Sequence, residues 1–554
     1  MNYSNKPLSQ TVVQLCFSKG IDHIVISPGS RNAPLTIGFT EYGDFKTYSI
    51  VDERCAAFFG LGLAQQLKRP VALVCTSGSA LLNYYPAIAE AYYSRIPLVV
   101  LSADRPEELI DIGDGQTIRQ FEVYKNHILY SGQCKEGKEH QIFNETEINV
   151  ALNTAIELQG PVHLNLPFSE PLYGKVAAPS VRPQHVPARQ LSMTVTDDLA
   201  SFMERWNRSK KKLLLLGVMP PNTLSDAILE QWAADPSLLV LTETTSNVHH
   251  QKFVANIDQL ITSLSEAEKK DFQPEVLVTM GGMIVSKRIK ALLRNFNEIY
   301  HCQIGTDKAN DTFFHLKQHF KIDVSSFWTE FLPKTETISS GYQEQWLSVR
   351  TSRQERHHDF LKTAPYSDLL AFKTIFNSLP EGIDLHLANS ATVRYAQLFE
   401  TAPSWFVYCN RGTSGIDGST STAIGGSVAS ARPTVFITGD LSFFYDSNAL
   451  WNNYVPPSFR LIIINNSGGG IFRILPNAKD AEQFEIYFET QHQLSAAPLA
   501  TLYQWEYRTA ADASAVKEEL STLFTPTERP VILEIHTPTT ENDKVLQAYF
   551  NALY

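Results

Sequence analysis

The sequence has no Cys-x-x-Cys pair. Its six cysteines, at positions 16, 55, 75, 134, 302 and 409, are scattered, with no histidine at metal-ligand spacing. That excludes a disulfide framework and a structural zinc site, and it predicts reduced thiols. A cationic excess is missing too: Lys plus Arg number 47 against 58 Asp plus Glu, a formal net charge of -11. Such a balance argues against nucleic-acid binding and against docking on an anionic membrane, so any site for an acidic ligand must be locally basic. No apolar run approaches the ~18 residues that span a bilayer. The opening MNYSNKPLSQ also lacks a basic stretch followed by an apolar one. The expectation is a cytoplasmic protein without membrane insertion. Internal repeats and low-complexity tracts are absent as well, which excludes solenoids and disordered arrays.

What is present is a chain of 554 residues, 43% hydrophobic and 19% charged, ordinary globular usage in a length that suits about three or four domains. Leu8, Val12, Leu15 and Cys16 keep helical spacing up to Gly20. Strands are then predicted at 23–26, 71–75 and 97–101, with helices at 53–66 and 79–93 between them. That alternation indicates βαβ units and a parallel sheet, whose ligands sit at the carboxyl ends of the strands. Residues 173–190, with three prolines and no periodicity, read as an extended linker. A second alternation has strands at 212–217, 238–242 and 275–280. After a polar helical stretch at 340–362, a third has strands at 384–388, 405–409, 434–438, 459–464 and 531–535. The fold class expected is α/β, with three doubly wound parallel-sheet domains in series at 1–175, 190–340 and 355–554. Likeness between the first and third is expected to be architectural only.

Two of these strands end in oxygen-bearing residues: Gly439-Asp440-Leu441-Ser442, and Asn465-Asn466-Ser467-Gly468-Gly469-Gly470. The Asp440 carboxylate, the Asn466 amide and the Gly468 carbonyl form an oxygen set of the kind Mg²⁺ takes together with phosphate oxygens. The alternative is a pair of ordinary Asp/Asn/Gly turns. Upstream, Glu53 opens an apolar helix, where an acid also serves as a simple partner of the helix dipole. Arg31, Arg105, Arg394 and Arg411, with Lys287 and Arg288, fall at or just past predicted strand ends. Converging guanidinium groups match carboxylates bidentately; taken singly, each is also compatible with a solvated surface charge.

With 25 residues between Asp440 and Asn466, the two strand ends resemble the G-D-G…N-N signature of thiamin-diphosphate enzymes, with Leu441 in place of its last glycine. SPGSR at 27–31, DER at 52–54, TSGSA at 76–80, SADRP at 102–106, QTIRQ at 116–120 and NRGTSGIDG at 410–418 stand in the order of one branch. The chain resembles the MenD family of menaquinone-pathway synthases, across the first and third domains and more weakly in the middle one.

That resemblance implies thiamin diphosphate and Mg²⁺ (or Mn²⁺) as cofactors. Asp440, Asn466 and Gly468 would hold the metal. Ser77, Gly78, Gly439, Leu441, Ser442 and Gly469 would line the cofactor, and Glu53 would hydrogen-bond its pyrimidine ring nitrogen. Ile416 would be the apolar wedge that bends it, or else a core isoleucine. The substrates implied are 2-oxoglutarate and isochorismate. They would be met by Ser30, Arg31, Arg105, Gln116, Lys287, Arg288, Ser390, Arg394 and Arg411, with Phe472 either walling the cavity or simply packed. In this class the acid and the metal ligands of one site come from different subunits, which implies a homodimer or homotetramer. The middle domain shows no G-x-G-x-x-G and is expected to be structural; His249 and His250 match no motif. The rivals are a thiamin-diphosphate 2-oxoacid decarboxylase, an acetolactate-synthase-like carboligase and a nucleotide-binding regulator that lost catalysis.

Overall fold

A computed structural model describes residues 2–189, 199–474 and 481–554. Three parallel sheets follow one another along the chain. The first runs Lys46–Ser49, His23–Ile26, Val71–Cys75, Leu98–Asp104, Val162–Pro167, Tyr130–Gln133; the third runs Phe406–Tyr408, Asp384–Leu387, Thr434–Gly439, Arg460–Asn465, Val531–His536, Glu506–Ala510. Numbered by chain order within each sheet, both read 2-1-3-4-6-5, and the five-stranded middle sheet reads 2-1-3-4-5. In each, the order reverses between the first and third strands, and such a switch point opens a crevice at the carboxyl ends. In the middle domain that crevice is shut by backbone, with Gly217 N donating to Met280 O and Gly282 N to Val218 O.

The strands identified from apolar runs are buried on both faces, as parallel sheets demand. Those missed from the sequence include four polar edges, Lys46–Ser49, Tyr130–Gln133, Leu316–Phe320 and Glu506–Ala510, and two interior strands, Val162–Pro167 and Tyr300–Ile304. An edge needs no continuous apolar run because one side meets solvent or a loop. The single helix expected at 79–93 is two, Ala80–Asn83 and Tyr85–Ser94; Pro86 lacks the N–H that would continue the first turn, and its ring crowds the carbonyl four residues back. The stretch from 173 is not a free linker. Lys175–Val176 pairs with Tyr3–Ser4, and the backbone N–H groups of Ser180, Gln184 and Val186 donate to Gln10, Glu145 and Asn149. Gln190 lies outside the described residues.

The first and third domains share one hydrophobic cluster, in which Phe58, Phe59 and Leu63 pack with Ala423, Ile424, Phe436 and Phe443. At its centre the Glu53–Leu67 helix crosses the Ser419–Ala429 helix so closely that a Cβ on Gly62 would sit 2.0 Å from Thr422 O, and one on Gly425 2.0 Å from Phe59 O. The middle domain is tied to the third through polar side chains. Asn247 donates to Val407 O (2.9 Å) and accepts from Val407 N (2.7 Å), and Asn256 and Gln259 donate to the carbonyls of Gln397 and Leu398. Among the described residues, no helix is long and apolar enough to cross a membrane.

A side chain at the crossing has nowhere to go. Gly425→Val should lower the thermal midpoint by at least ~5 °C, the scale of an overpacked core. Gly341→Ala, where a Cβ meets nothing within 4 Å, should leave it within about 1 °C. Equal midpoints in a thermal melt would show that the crossing is not tight.

Candidate active site

At the third domain's switch point Gly439 ends its strand and Asp440 begins the helix Asp440–Tyr445, where a carboxylate meets the positive end of the dipole. Asp440 is 2% exposed; one oxygen accepts from Leu441 N (2.7 Å) and the other from Gly468 N (3.0 Å). One strand over, the Asn466 amide donates to Asp368 (3.0 Å), which turns its oxygen the other way. That Oδ1 is buried, with no hydrogen-bond partner among the described residues. Burial and the charge of Asp440 push Asp368 up to about 6, and its carboxyl oxygen, by accepting from the amide, keeps it in this orientation. His492 Nε2 stands 3.3 Å from Asp440 Oδ2. Among the described residues no three His, Cys, Asp or Glu side chains form a metal cage. An unpartnered amide oxygen beside a buried carboxylate instead suits a hard divalent ion that completes its shell from a ligand.

The loop at 410–418 closes over this group. Asn389 donates to Asn410 O (2.7 Å) and Gly415 O (2.8 Å) and accepts from Arg411 Nη1 (2.8 Å). Ser442 Oγ donates to Ile416 O (2.7 Å). Ile416 is 39% exposed and is therefore not a core residue: a branched apolar side chain is held out from a rigid loop. Arg394 donates to Ser390 O, and burial together with the charge of Arg411 lowers its pKa. Neither guanidinium forms an ion pair among the described residues, and Arg411 Nε is buried without a partner. Two desolvated cations so placed are complementary to an anion.

A cavity of about 170 Å³ opens beside Arg394, lined also by Asp258, Ser286, Lys287, Arg288 and Ile471. Lys287 and Arg288 begin the helix Lys287–Arg294, with Arg288 over the Phe550 ring at 4.2 Å. The buried Glu243 carboxyl accepts from Val285 N and Ser286 N, both at 2.7 Å. Phe472 is half-buried and packs near Phe488, with ring centroids 6.3 Å apart; Ile471, not Phe472, lines this cavity.

In the first domain, Arg31 is 5% exposed, donates to Phe168 O (2.7 Å), and has its pKa lowered by burial and by neighbouring Arg105. Ser30 is exposed beside it. Gln116 Nε2 donates to Ser77 O (2.7 Å), Ser77 Oγ to Gln116 O (2.9 Å), and Gly78 N to Gln120 Oε1 (2.8 Å). Gln120 in turn donates to Asn165 (2.8 Å), which donates to Asp104 (2.7 Å). Asp52 and Arg54 both reach the chain's own third domain: Asp52 accepts from Asn448, and Arg54 donates to Tyr445 O and lies over the Tyr445 ring. Glu53, between them, is half-buried, and burial with the nearby Asp52 charge raises its pKa. No hydrogen bond or ion pair among the described residues joins the Glu53 carboxyl to the Asp440 and Asn466 group.

Sequence reasoning missed Asp368, Gln120, Asn165, His492 and Ile471 as parts of these clusters. Gln120 and Asn389 sit inside motifs that were singled out for their neighbours; Asp368 carries no local signal. His250 faces Glu230 at 3.4 Å, in keeping with its lack of a motif.

Asn389 is the loop's main internal support. Asn389→Ala should make the bond after Arg411 at least tenfold more susceptible to trypsin, because a buried site is cut only after local opening. Unchanged cleavage would show that the loop is held by other contacts.

The family described as "Thiamine pyrophosphate enzyme, N-terminal TPP binding domain" matches residues 7–123. The chain is 51% identical to the 2-succinyl-5-enolpyruvyl-6-hydroxy-3-cyclohexene-1-carboxylate synthase of Flavobacterium johnsoniae, over 100% of both chains. It is 53% identical to that of Christiangramia forsetii, over 100% of this chain and 99% of the relative. Among solved structures, benzoylformate decarboxylase from Polynucleobacter necessarius superposes with a TM-score of 0.72 at 16% identity, covering 96% of this chain and 99% of that one, a likeness of fold. With full-length identity above half and the strand-end clusters in place, the chain belongs to the 2-succinyl-5-enolpyruvyl-6-hydroxy-3-cyclohexene-1-carboxylate synthase family of thiamine pyrophosphate enzymes.

Proposed function

We propose that the protein decarboxylates 2-oxoglutarate and joins the remaining four-carbon unit to isochorismate, giving 2-succinyl-5-enolpyruvyl-6-hydroxy-3-cyclohexene-1-carboxylate and CO2 in menaquinone biosynthesis. The observation that carries this reading is the pairing of two environments in one domain. Asn466, whose side-chain oxygen is unpartnered among the described residues, opens the turn whose Gly468 N–H reaches Asp440, and Arg394 and Arg411, free of ion pairs among the described residues, belong to the same domain. The first suits Mg²⁺ or Mn²⁺ with a diphosphate, the second a carboxylate. Thiamin diphosphate, when bound, supplies the carbanion-stabilising chemistry that no side chain can provide.

In this reading Asp440, Asn466 and the Gly468 carbonyl hold the ion, while Gly439, Leu441, Ser442 and Gly469 line the diphosphate. Ser77 and Gly78 line the cofactor from the first domain, and Ile416 presses on it from the loop. Glu53 would hydrogen-bond the cofactor's pyrimidine ring nitrogen, and burial raises the pKa of its carboxyl. Ser390, Arg394 and Arg411 orient the 2-oxo acid. Ser30, Arg31, Arg105, Gln116, Lys287 and Arg288 take the carboxylates of the acceptor, and Phe472 stands at the cavity's margin. Since the Glu53 carboxyl meets no partner among the described residues of its own third domain, we place it in the site of a second copy, in a homodimer or homotetramer. The middle domain, at about 190–340 between the 1–175 and 355–554 units, has its switch point closed by backbone, which supports a structural role. Six buried, unpaired cysteines support a cytoplasmic location.

The activity is tested by following isochorismate absorbance with 2-oxoglutarate, Mg²⁺ and thiamin diphosphate present. Its loss should depend on all three, and CO2 release indifferent to isochorismate would point to a plain decarboxylase instead. Glu53→Gln should bind the cofactor within about threefold of wild type yet turn over ~10²–10⁴-fold more slowly, the range of a positioned proton transfer; an unchanged rate removes Glu53 from the chemistry. Asp440→Ala should abolish Mg²⁺-dependent cofactor binding in a calorimetric titration, and retained affinity would contradict the metal assignment.

A further inference from the structure

Glu90 stands alone as an acid in the apolar helix Tyr85–Ser94 of the first domain and is 1% exposed. A buried carboxylate is costly unless it is paired or fully hydrogen-bonded, and among the described residues no cation pairs with this one. Four donors meet it instead. Gly412 N (2.8 Å), Thr413 N (2.6 Å) and Thr413 Oγ1 (2.8 Å) come from the third domain of the same chain, and Ser94 Oγ (2.6 Å) from its own helix. The fit is close: a Cβ on Gly412 would lie 2.6 Å from Glu90 O and 2.7 Å from Ser94 Oγ. The carboxylate thus grips the two residues that immediately follow Arg411.

Asn389 spans the loop, on Asn410 O and the Arg411 guanidinium at one end and on Gly415 O at the other, and Ser442 holds Ile416 O. Glu90 therefore holds only the backbone just after Arg411, whereas Ile416 has supports that Glu90 does not touch. We infer that Glu90 is a positioning residue for Arg411, fixing from the first domain the direction in which that guanidinium meets the 2-oxo acid. The inference rests on the proposed assignment of Arg411 to 2-oxoglutarate. It also gives each first domain two separate duties, Glu90 committed to its own chain's loop and Glu53 left unbonded by it.

Glu90→Gln in the full-length protein keeps the volume but sets an NH2 group against one of the two backbone N–H donors. The KM for 2-oxoglutarate should rise roughly 10–100-fold, as when a substrate-holding group is displaced by about an ångström. The calorimetric Kd for thiamin diphosphate with Mg²⁺ should stay within about threefold, because Ile416 keeps its own supports. In the cofactor-free protein, amide exchange at Gly412 and Thr413 should quicken at least tenfold, with Ile416 unaffected. A merely structural staple would weaken substrate and cofactor together, and that result overturns the inference. So does unchanged exchange at 412 and 413, or an unchanged KM while Arg411→Ala raises it. If Arg411→Ala also leaves KM unchanged, the substrate assignment of Arg411 is what has failed, and the inference falls for that identified cause. Should Glu90→Gln not fold, the double variant Thr413→Val, Ser94→Ala deletes two hydroxyl donors to the same carboxylate. It should raise KM roughly fivefold; no rise is an overturning result.

Discussion

At Gly62 and Gly425 backbone lies directly against backbone where the Glu53–Leu67 and Ser419–Ala429 helices meet, and the first and third domains take their mutual position from that contact. It merges the cores of the first and third domains into one apolar cluster, so the two cannot drift independently. It also sets where the first turn of the Glu53 helix can lie. Asp52, Arg54 and Cys55 all engage residues 445–448, just past the short helix that Asp440 begins. Glu53 and the Asp440 cluster of one chain therefore belong to one stiff body even though they are hundreds of residues apart in sequence.

Electrostatics does the rest. A chain of net charge -11 places cations close together at its switch points, Arg31 near Arg105 and Arg394 near Arg411, and burial, followed by repulsion from the neighbouring guanidinium, lowers the pKa of Arg31 and of Arg394. Such pairs are unfavourable in the free protein, and an anionic ligand relieves the repulsion. In the first domain Glu170 and Asp114 pair with Arg31 and Arg105, but the acids near Arg394 and Arg411 are occupied elsewhere. Glu243 caps backbone N–H groups at the start of the Lys287–Arg294 helix, and Asp258 accepts from Ser286. The Arg394 and Arg411 pair is thus left without an ion-pair partner among the described residues.

Much of this was legible in the residues. Strands buried on both faces, such as Val71–Cys75 and Arg460–Asn465, announce themselves by unbroken apolar runs, and their oxygen- or glycine-rich ends mark the places where function gathers. Edge strands such as Lys46–Ser49 were not legible because half their surroundings are polar. Nor were supports such as Asp368 and Asn165. A buried polar residue that orients another gains its meaning from a neighbour far away in sequence, which no local pattern encodes. The break at Tyr84 was readable from Pro86 but was outweighed by the helical spacing on either side. The matching strand orders of the first and third sheets left no trace in the sequence, because wiring constrains burial rather than residue identity.

The amide of Asn247 engages both backbone groups of Val407, at the outermost strand of the third sheet. One side chain thereby imitates a neighbouring strand at the point where a bare ribbon would otherwise recruit another polypeptide. The middle domain in this way covers that margin of its neighbour with a side chain in place of a further strand.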